Sequence, residues 1–199
     1  MTKSEENLKK YDRIAHEYDT SLDGKLTAKF KQKVLELCSV SNGDKVLDIG
    51  CGNGKLIYEI SRKAEIKAYG IDISPNMIKV CRQRYQGIDF KIMNSEKLLF
   101  DDGSFDLLTI CCVLHHLDEP QDFFKESHRV LKMGGTLIVG EPWLPFGLGL
   151  ANWILPLLKP EDNKVFSHKH LKSLFVDNGF SITEIYKKEI KQVIKAKKK

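Results

Sequence analysis

One short apolar run, Lys45-Val46-Leu47-Asp48-Ile49, breaks into glycines at alternate positions, Gly50, Gly52 and Gly54. Residues 55–63, which follow, have the periodicity of a helix. Few architectures admit a strand that ends in three glycines and re-enters a helix. Glycine tolerates positive φ and lets the backbone approach a ligand with no Cβ in the way. The helix then offers unpaired N–H groups to an anion. In an open α/β sheet such a loop lies at the carboxyl ends of the strands, where ligands bind. The spacing is Gly-x-Gly-x-Gly and departs from the dinucleotide pattern Gly-x-Gly-x-x-Gly, because Lys55 follows Gly54. Asp48 would repel a pyrophosphate and suits an ammonium group. Asp72, twenty residues after Gly52, is placed to accept hydrogen bonds from both hydroxyls of a ribose.

Around this loop, helical and strand signals alternate, which argues for a mostly parallel sheet covered by helices. Helices are expected over 3–18, 26–38 and 55–63. A further helix opens at Ser74-Pro75, an N-cap followed by proline at the first helical position, and runs to about Tyr85. Strands are expected over 68–73, 89–93 and 105–112, the last a continuous apolar run of the kind buried on both faces. Residues 120–131 read as helix. Gly134-Gly135 is expected to turn the chain into a strand over 136–140. Ser167 starts a helix that ends at Asn178-Gly179. Residues 180–186 and 190–194 are close enough together to form an antiparallel hairpin.

At 199 residues, with 42% apolar and 30% charged, the chain has the composition of a soluble globular protein with one core. No secretory signal opens it and no long apolar span interrupts it, so a cytoplasmic location is expected. The five cysteines, Cys38, Cys51, Cys81, Cys111 and Cys112, show no metal spacing, and no metal is expected. The net charge of +5 is concentrated at one end. Residues 187–199 hold seven lysines against one glutamate, a net of +6, which leaves about −1 for the rest. The basicity reads as a tail, with solvation its main role and nucleic acid or anionic membrane as alternatives.

VLDIGCGNG, GIDIS, NSEKLLFDDGSFD, VLHHL and RVLKMGGTLIV, in this order, resemble the successive motifs of the class I S-adenosylmethionine-dependent methyltransferases. Within that class the chain is similar to the ubiquinone and menaquinone biosynthesis methyltransferase group, and YDRIAHEYD resembles its entry segment. The resemblance implies a Rossmann-like, doubly wound, mostly parallel seven-stranded sheet with helices on both faces and an antiparallel closing hairpin. It implies a single domain over 1–199, with cap helices in 1–40, a substrate lid in 141–166 and a basic closing strand and tail in 187–199. S-adenosylmethionine is the implied cofactor. Asp48, Gly50, Gly52 and Gly54 would line its methionine part, with Cys51 and Asn53 contributing backbone. Asp72 would hold the ribose, while Ile73 and Met77 pack near the adenine. Asn94, Ser95 and Glu96 occupy the loop that bonds the adenine amine. Asn94 departs from the family's more frequent Asp-Ala-Glu, though an amide oxygen can still accept from an amine. Cys111 would stand beside the sulfonium, and Tyr18 over the methionine carboxylate or under the first helix as packing.

Methyl transfer is an in-line displacement from positively charged sulfur with a neutral leaving group, so proximity and alignment supply much of the acceleration. A base is needed only if the acceptor arrives protonated, and no catalytic residue is assigned from sequence. His116 is a candidate to meet the substrate, as base or as orienting group. Thr109-Ile110-Cys111-Cys112 stands where nucleic-acid amine methyltransferases resemble one another in an Asn/Asp-Pro-Pro-aromatic tetrad, which disfavours nucleic acid. The apolar stretch from Trp143 to Leu158 is expected to form the lid. It suits a small apolar acceptor, with Trp143 as a substrate residue; membrane contact, self-association and plain packing are its other readings. Methylation of RNA or protein and non-catalytic cofactor binding are the alternative functions.

Overall fold

The computed structural model describes residues 3–143 and 165–199. Seven strands form one sheet in the order β3-β2-β1-β4-β5-β7-β6. They are β1 (Lys45–Ile49), β2 (Lys67–Asp72), β3 (Asp89–Ile92), β4 (Phe105–Cys111), β5 (Leu131–Pro142), β6 (Phe180–Lys188) and β7 (Lys191–Lys198). The first five pair in parallel, whereas β7 is antiparallel to both β5 and β6. The expected fold is the one observed.

Alternation along each strand decides which side chain meets which layer. Val46, Ala68, Leu107, Ile138 and Val193 point to one face. There they pack on helices α2 (Leu22–Leu37), α3 (Lys55–Ser61) and α4 (Pro75–Arg84). Leu47, Ile49, Leu108, Ile110, Val139 and Ile194 point to the other face. Those side chains meet α5 (Pro120–Val130) and α6 (His168–Asp177), through Phe123, Phe124, Leu171 and Phe175. Burying one such side chain is worth about 1.5–3 kcal/mol, so both layers are needed to hold the sheet.

Capping sets where the helices begin. Ser21 accepts the Gly24 N–H, Ser74 accepts that of Met77, and Ser167 that of His170. The Ser21 cap explains two departures from the sequence expectation. Helix α1 (Lys3–Ile14) stops short of Tyr18 and passes into a 3-10 turn, Ala15–Thr20. Helix α2 then starts at Leu22 instead of 26. A Cβ at Gly24 would overlap the Tyr18 carbonyl oxygen, so glycine permits the close turn. Asp12 fastens α1 to the start of α4. It accepts the Ser74 hydroxyl at 2.7 Å and the Asn76 N–H at 2.8 Å, and its second oxygen takes the Asn76 amide at 2.8 Å.

Two further expectations are corrected. Gly134-Gly135 does not precede β5 but sits inside it, where the pairing with β4 slips between Phe105 and Leu107. Gly134 has φ 73°, the left-handed conformation that lets the ladder continue past the slip. The lysine-rich end is no free tail, because β7 runs to Lys198 between β5 and β6. Lys195 Nζ donates to the Leu37 carbonyl and Lys198 Nζ to that of Leu131, so these charges cap backbone. The expected lid lies outside the described residues over 144–164.

Gly70 in β2 has no room for a side chain. A Cβ there would lie 2.7 Å from the ring of Phe90 and 3.2 Å from Cys51 Sγ. Gly70→Ala is expected to destabilise the fold by about 1–3 kcal/mol, read as a lower urea midpoint at unchanged m-value. An unshifted midpoint would mean that Phe90 can move aside.

Candidate active site

A cleft opens at the carboxyl ends of β1, β2 and β4. It lies where the strand order reverses, the expected ligand crevice of a doubly wound sheet. Its floor is Gly50 and Gly52 from the loop after β1. One wall is Asp72, Ile73 and Met77, with Met93, Asn94, Ser95 and Glu96 beyond. Cys111, Cys112, Val113, His116 and Leu117 form the other wall. Asn7 and Tyr11 of α1, Tyr18 of the 3-10 turn and Thr27 and Lys31 of α2 complete it.

The three glycines do different work. A Cβ on Gly50 would meet Val113 at 2.5 Å, so this glycine allows the loop to lie against the turn after β4. A Cβ on Gly52 would meet nothing closer than Tyr18 at 3.8 Å and Lys31 at 3.9 Å, and would project into the cleft. Gly52 is therefore the open cradle. Gly54 faces away, with Cys81, Phe90 and Tyr85 all about its Cβ position, and it starts α3 at φ 75°.

Asp72 holds the loop in place. One carboxylate oxygen accepts the Gly52 N–H at 2.8 Å and the other the Ser74 N–H at 2.9 Å. Each oxygen keeps a lone pair for a further donor. Burial raises the Asp72 pKa, and these backbone bonds oppose the shift. Asp48 lies beneath the loop. Thr109 donates to its Oδ1 at 2.7 Å, and its buried Oδ2 has no partner. Burial pushes the Asp48 pKa up to about 6, against the pull of Lys31 and the Thr109 bond. For Lys31, burial works against the charge, but Tyr18 and Asp48 outweigh it and hold the pKa above its usual value. The Lys31 ammonium bonds Asn53 Oδ1 at 3.1 Å, and the Asn53 amide in turn donates to Asp19. An orphaned acid oxygen, a lysine and an open glycine cradle fit a zwitterionic amino-acid group.

Of the residues expected from sequence, Tyr18, Gly50, Gly52, Asp72, Ile73, Met77, Asn94, Ser95, Glu96, Cys111 and His116 line the cleft. Asp48, Cys51, Asn53 and Gly54 do not. Asp48 and Cys51 are buried below the loop, and Asn53 is engaged by Lys31 and Asp19. Trp143 does not line it either. Its backbone N–H bonds the Ile190 carbonyl at 2.9 Å and Lys187 Nζ lies 4.0 Å over its ring, which places it against the β6–β7 hairpin. The Asn94 amide oxygen accepts the Glu96 N–H at 2.8 Å and so shapes its own loop. Asn7, Tyr11, Thr27, Lys31, Met93, Cys112, Val113 and Leu117 line the cleft unforeseen. Only the Tyr11–Asp19 segment hinted that N-terminal residues come this close. Cys112 carries a strain that no motif announced, a φ of 57° at the end of β4.

The methyltransferase domain family matches residues 47–139. The demethylmenaquinone methyltransferase of Tropheryma whipplei is 33% identical over 139 residues, 67% of this chain and 57% of that protein. That of Listeria welshimeri is 29% identical over 213 residues, 90% of this chain and 89% of that protein. A solved complex between the Haloferax volcanii Trm112 methyltransferase activator and a methyltransferase matches with a TM-score of 0.81. It does so at 19% identity over 94% of this chain and 96% of that one, which shows a shared fold. The chain belongs to the class I S-adenosylmethionine-dependent methyltransferases, whose cofactor is S-adenosylmethionine. It spans a little over half the length of the Tropheryma relative. No helix among the described residues is long and apolar enough to cross a membrane.

Asp48 carries a pH signature. Its pKa rises from 3.8 to about 6 on folding, so the folded protein binds this proton more tightly than the unfolded chain. Stability contributed by that proton is lost as pH rises from about 4 through about 6. Asp48→Asn keeps an oxygen for Thr109. It is expected to flatten this slope and to stabilise the ligand-free protein at neutral pH by at most about 3 kcal/mol. Denaturant unfolding across that window checks it; equal slopes in both proteins would clear Asp48 as the source.

Proposed function

We propose that the chain transfers the methyl group of S-adenosylmethionine to a small acceptor with an apolar body, by in-line displacement in this cleft. The observation that carries the reading is the Gly52 cradle between a fixed acid, Asp72, and the half-buried Lys31. In it, Asp72 accepts the ribose hydroxyls with the lone pairs its backbone bonds leave over. Lys31, with Tyr18 beside it, takes the carboxylate, and Asp48, buried beneath the loop, favours the ammonium through its charge. Ile73 and Met77 pack on the adenine, and the loop at Asn94, Ser95 and Glu96 borders its edge. Since Asn94 Oδ1 already serves the Glu96 N–H, loop backbone and Ser95 are left to meet the adenine amine. Cys111 stands at the sulfonium end. When bound, the cofactor supplies an electrophilic methyl carbon; the protein aligns the acceptor with it and excludes water.

An apolar acceptor fits the wall opposite the ribose, where Cys112, Val113 and Leu117 are apolar. The names of the Tropheryma and Listeria relatives agree with an aromatic, apolar acceptor. Nucleic acid finds less support, because Lys195 and Lys198 are engaged with backbone carbonyls of the fold. Calorimetry with S-adenosylmethionine, S-adenosylhomocysteine and NAD, followed by a methyl-transfer screen over phenols and quinols, tests the whole reading. Preference for NAD would overturn it.

The role of Lys31 has its own test. 5′-Methylthioadenosine shares the adenosine and the sulfur of S-adenosylhomocysteine but lacks the amino-acid end. Lys31→Met is expected to weaken S-adenosylhomocysteine binding by about 10- to 100-fold, the worth of a charged hydrogen bond, and to leave methylthioadenosine binding unchanged. Equal losses for both ligands would move Lys31 out of the carboxylate site.

A further inference from the structure

Tyr11 and His116 stand 105 positions apart in the chain and meet at the cleft, with the phenolic oxygen 3.1 Å from the imidazole Nε2. Their rings cross edge-on with centroids 5.5 Å apart. The pair belongs to a wall that is otherwise largely apolar, beside Val113 and Leu117.

His116 is held from several sides. Its N–H donates to the Val113 carbonyl at 2.9 Å, and its own carbonyl accepts the Asn7 amide at 3.3 Å. Its ring lies against that of His115, centroids 4.0 Å apart. Behind His115 stands Glu141, wholly buried, with Oε2 2.7 Å from the His115 Nδ1. The other oxygen of Glu141 accepts the N–H groups of Val113 and Leu114 at 3.0 and 2.9 Å. One buried carboxylate at the end of β5 thus fixes the whole turn that aims His116 at Tyr11.

Pairing the two side chains answers a chemical need that neither meets alone. A phenol, with its pKa of about 10, is a poor proton acceptor near neutrality, and an imidazole, at about 6.5, is well matched to it. Tyr11 reaches into the cleft from α1, while His116 is only 8% exposed. The tyrosine oxygen is therefore a bridge from a substrate to the imidazole.

We infer that Tyr11 and His116 act together as the proton acceptor for a phenol-type hydroxyl on the methyl acceptor. The inference rests on the reading of the cleft as the S-adenosylmethionine site. The acceptor's O–H bond breaks and its proton goes to the Tyr11 oxygen, while the tyrosine's own proton passes to His116 Nε2. The electron pair left on the acceptor attacks the methyl carbon, from oxygen or from a conjugated ring carbon. The carbon–sulfur bond breaks and its pair stays on sulfur. In the ring-carbon case the C–H proton then moves to the oxygen and restores the phenol. Positive charge leaves sulfur and arrives on the imidazole, so net charge in the cleft is conserved. Among the described residues, the groups facing the dyad include the Lys10 ammonium, 5.1 Å from the Tyr11 centroid and paired with Asp23, the Tyr18 ring, His115 and, behind it, Glu141.

The test uses 4-nitrophenol, whose phenolate absorbs where the phenol does not, added to the full chain saturated with S-adenosylhomocysteine. With the solution held about one unit below the probe's own pKa, the wild type is expected to bind it as phenolate. Tyr11→Phe and His116→Gln are expected to cut the bound phenolate fraction by about tenfold, the equivalent of one pKa unit. Tyr11→Phe keeps the ring and should keep both melting temperature and S-adenosylhomocysteine affinity, which separates the dyad from a folding defect. Added imidazole should restore the phenolate signal in His116→Ala. An equal phenolate fraction in wild type and both variants overturns the inference, as does a probe that stays neutral or unbound at millimolar concentration. Failure of S-adenosylhomocysteine itself to bind would be seen separately and would bring down the cofactor reading with it.

Discussion

The site depends on a single carboxylate that belongs to the neighbouring strand. Asp72 closes β2 and accepts the Gly52 N–H of the loop that follows β1. Two adjacent parallel strands are thereby joined at their carboxyl ends by a charge-assisted bond, stronger than a neutral one. The Cys51 N–H on the Ile71 carbonyl, 2.9 Å, repeats the link one residue earlier, and the Cys81 thiol on the Gly52 carbonyl braces it from α4. Because the loop is held on both sides, its glycine conformations are fixed before any ligand arrives. Preorganisation of this kind lowers the cost of binding. It also explains why Asp72 can be buried: the backbone donors that its charge recruits offset part of the desolvation.

The entry segment has a second, less obvious dependence. Asp12 ties α1 to the beginning of α4, and Asp19 ties the 3-10 turn to Arg84 at 2.6 Å and to Asn53. These polar links run from the N-terminal elements to both ends of α4 and to the loop after β1. They carry Tyr11, Tyr18 and Lys31 over the cleft as one unit.

The central sheet was legible because each of its signals is local. The run into Gly50, the Ser74-Pro75 start and the continuous apolar stretch of β4 each follow from short-range stereochemistry. What escaped notice was non-local. Gly134 looks like a turn residue until β4 is beside it and the slip in pairing becomes visible. The lysines of β7 look like solvated charge until Leu37 and Leu131 present their carbonyls. Within the site, the acids and glycines of the strand ends could be named from spacing. Lys31, Tyr11 and Asn7 could not, because helical periodicity says nothing about which sheet end a cap helix crosses. Trp143 was expected at the substrate, but it follows a strand whose antiparallel partner draws it toward the hairpin.

Charge explains why the cleft suits one cofactor chemistry and excludes another. Two buried acids, Asp48 and Asp72, border the loop, and Lys31 is the cation set among them. A pyrophosphate would place two negative charges against Asp48 with one lysine to balance them. On the proposed assignment, an adenosyl sulfonium amino acid would bring a carboxylate to Lys31 and an ammonium and a sulfonium to the field of the acids. As the methyl group leaves, the sulfonium charge is lost and the acids lose part of their partner. On that assignment the product would be held less firmly than the substrate by the same residues, which would favour release over retention.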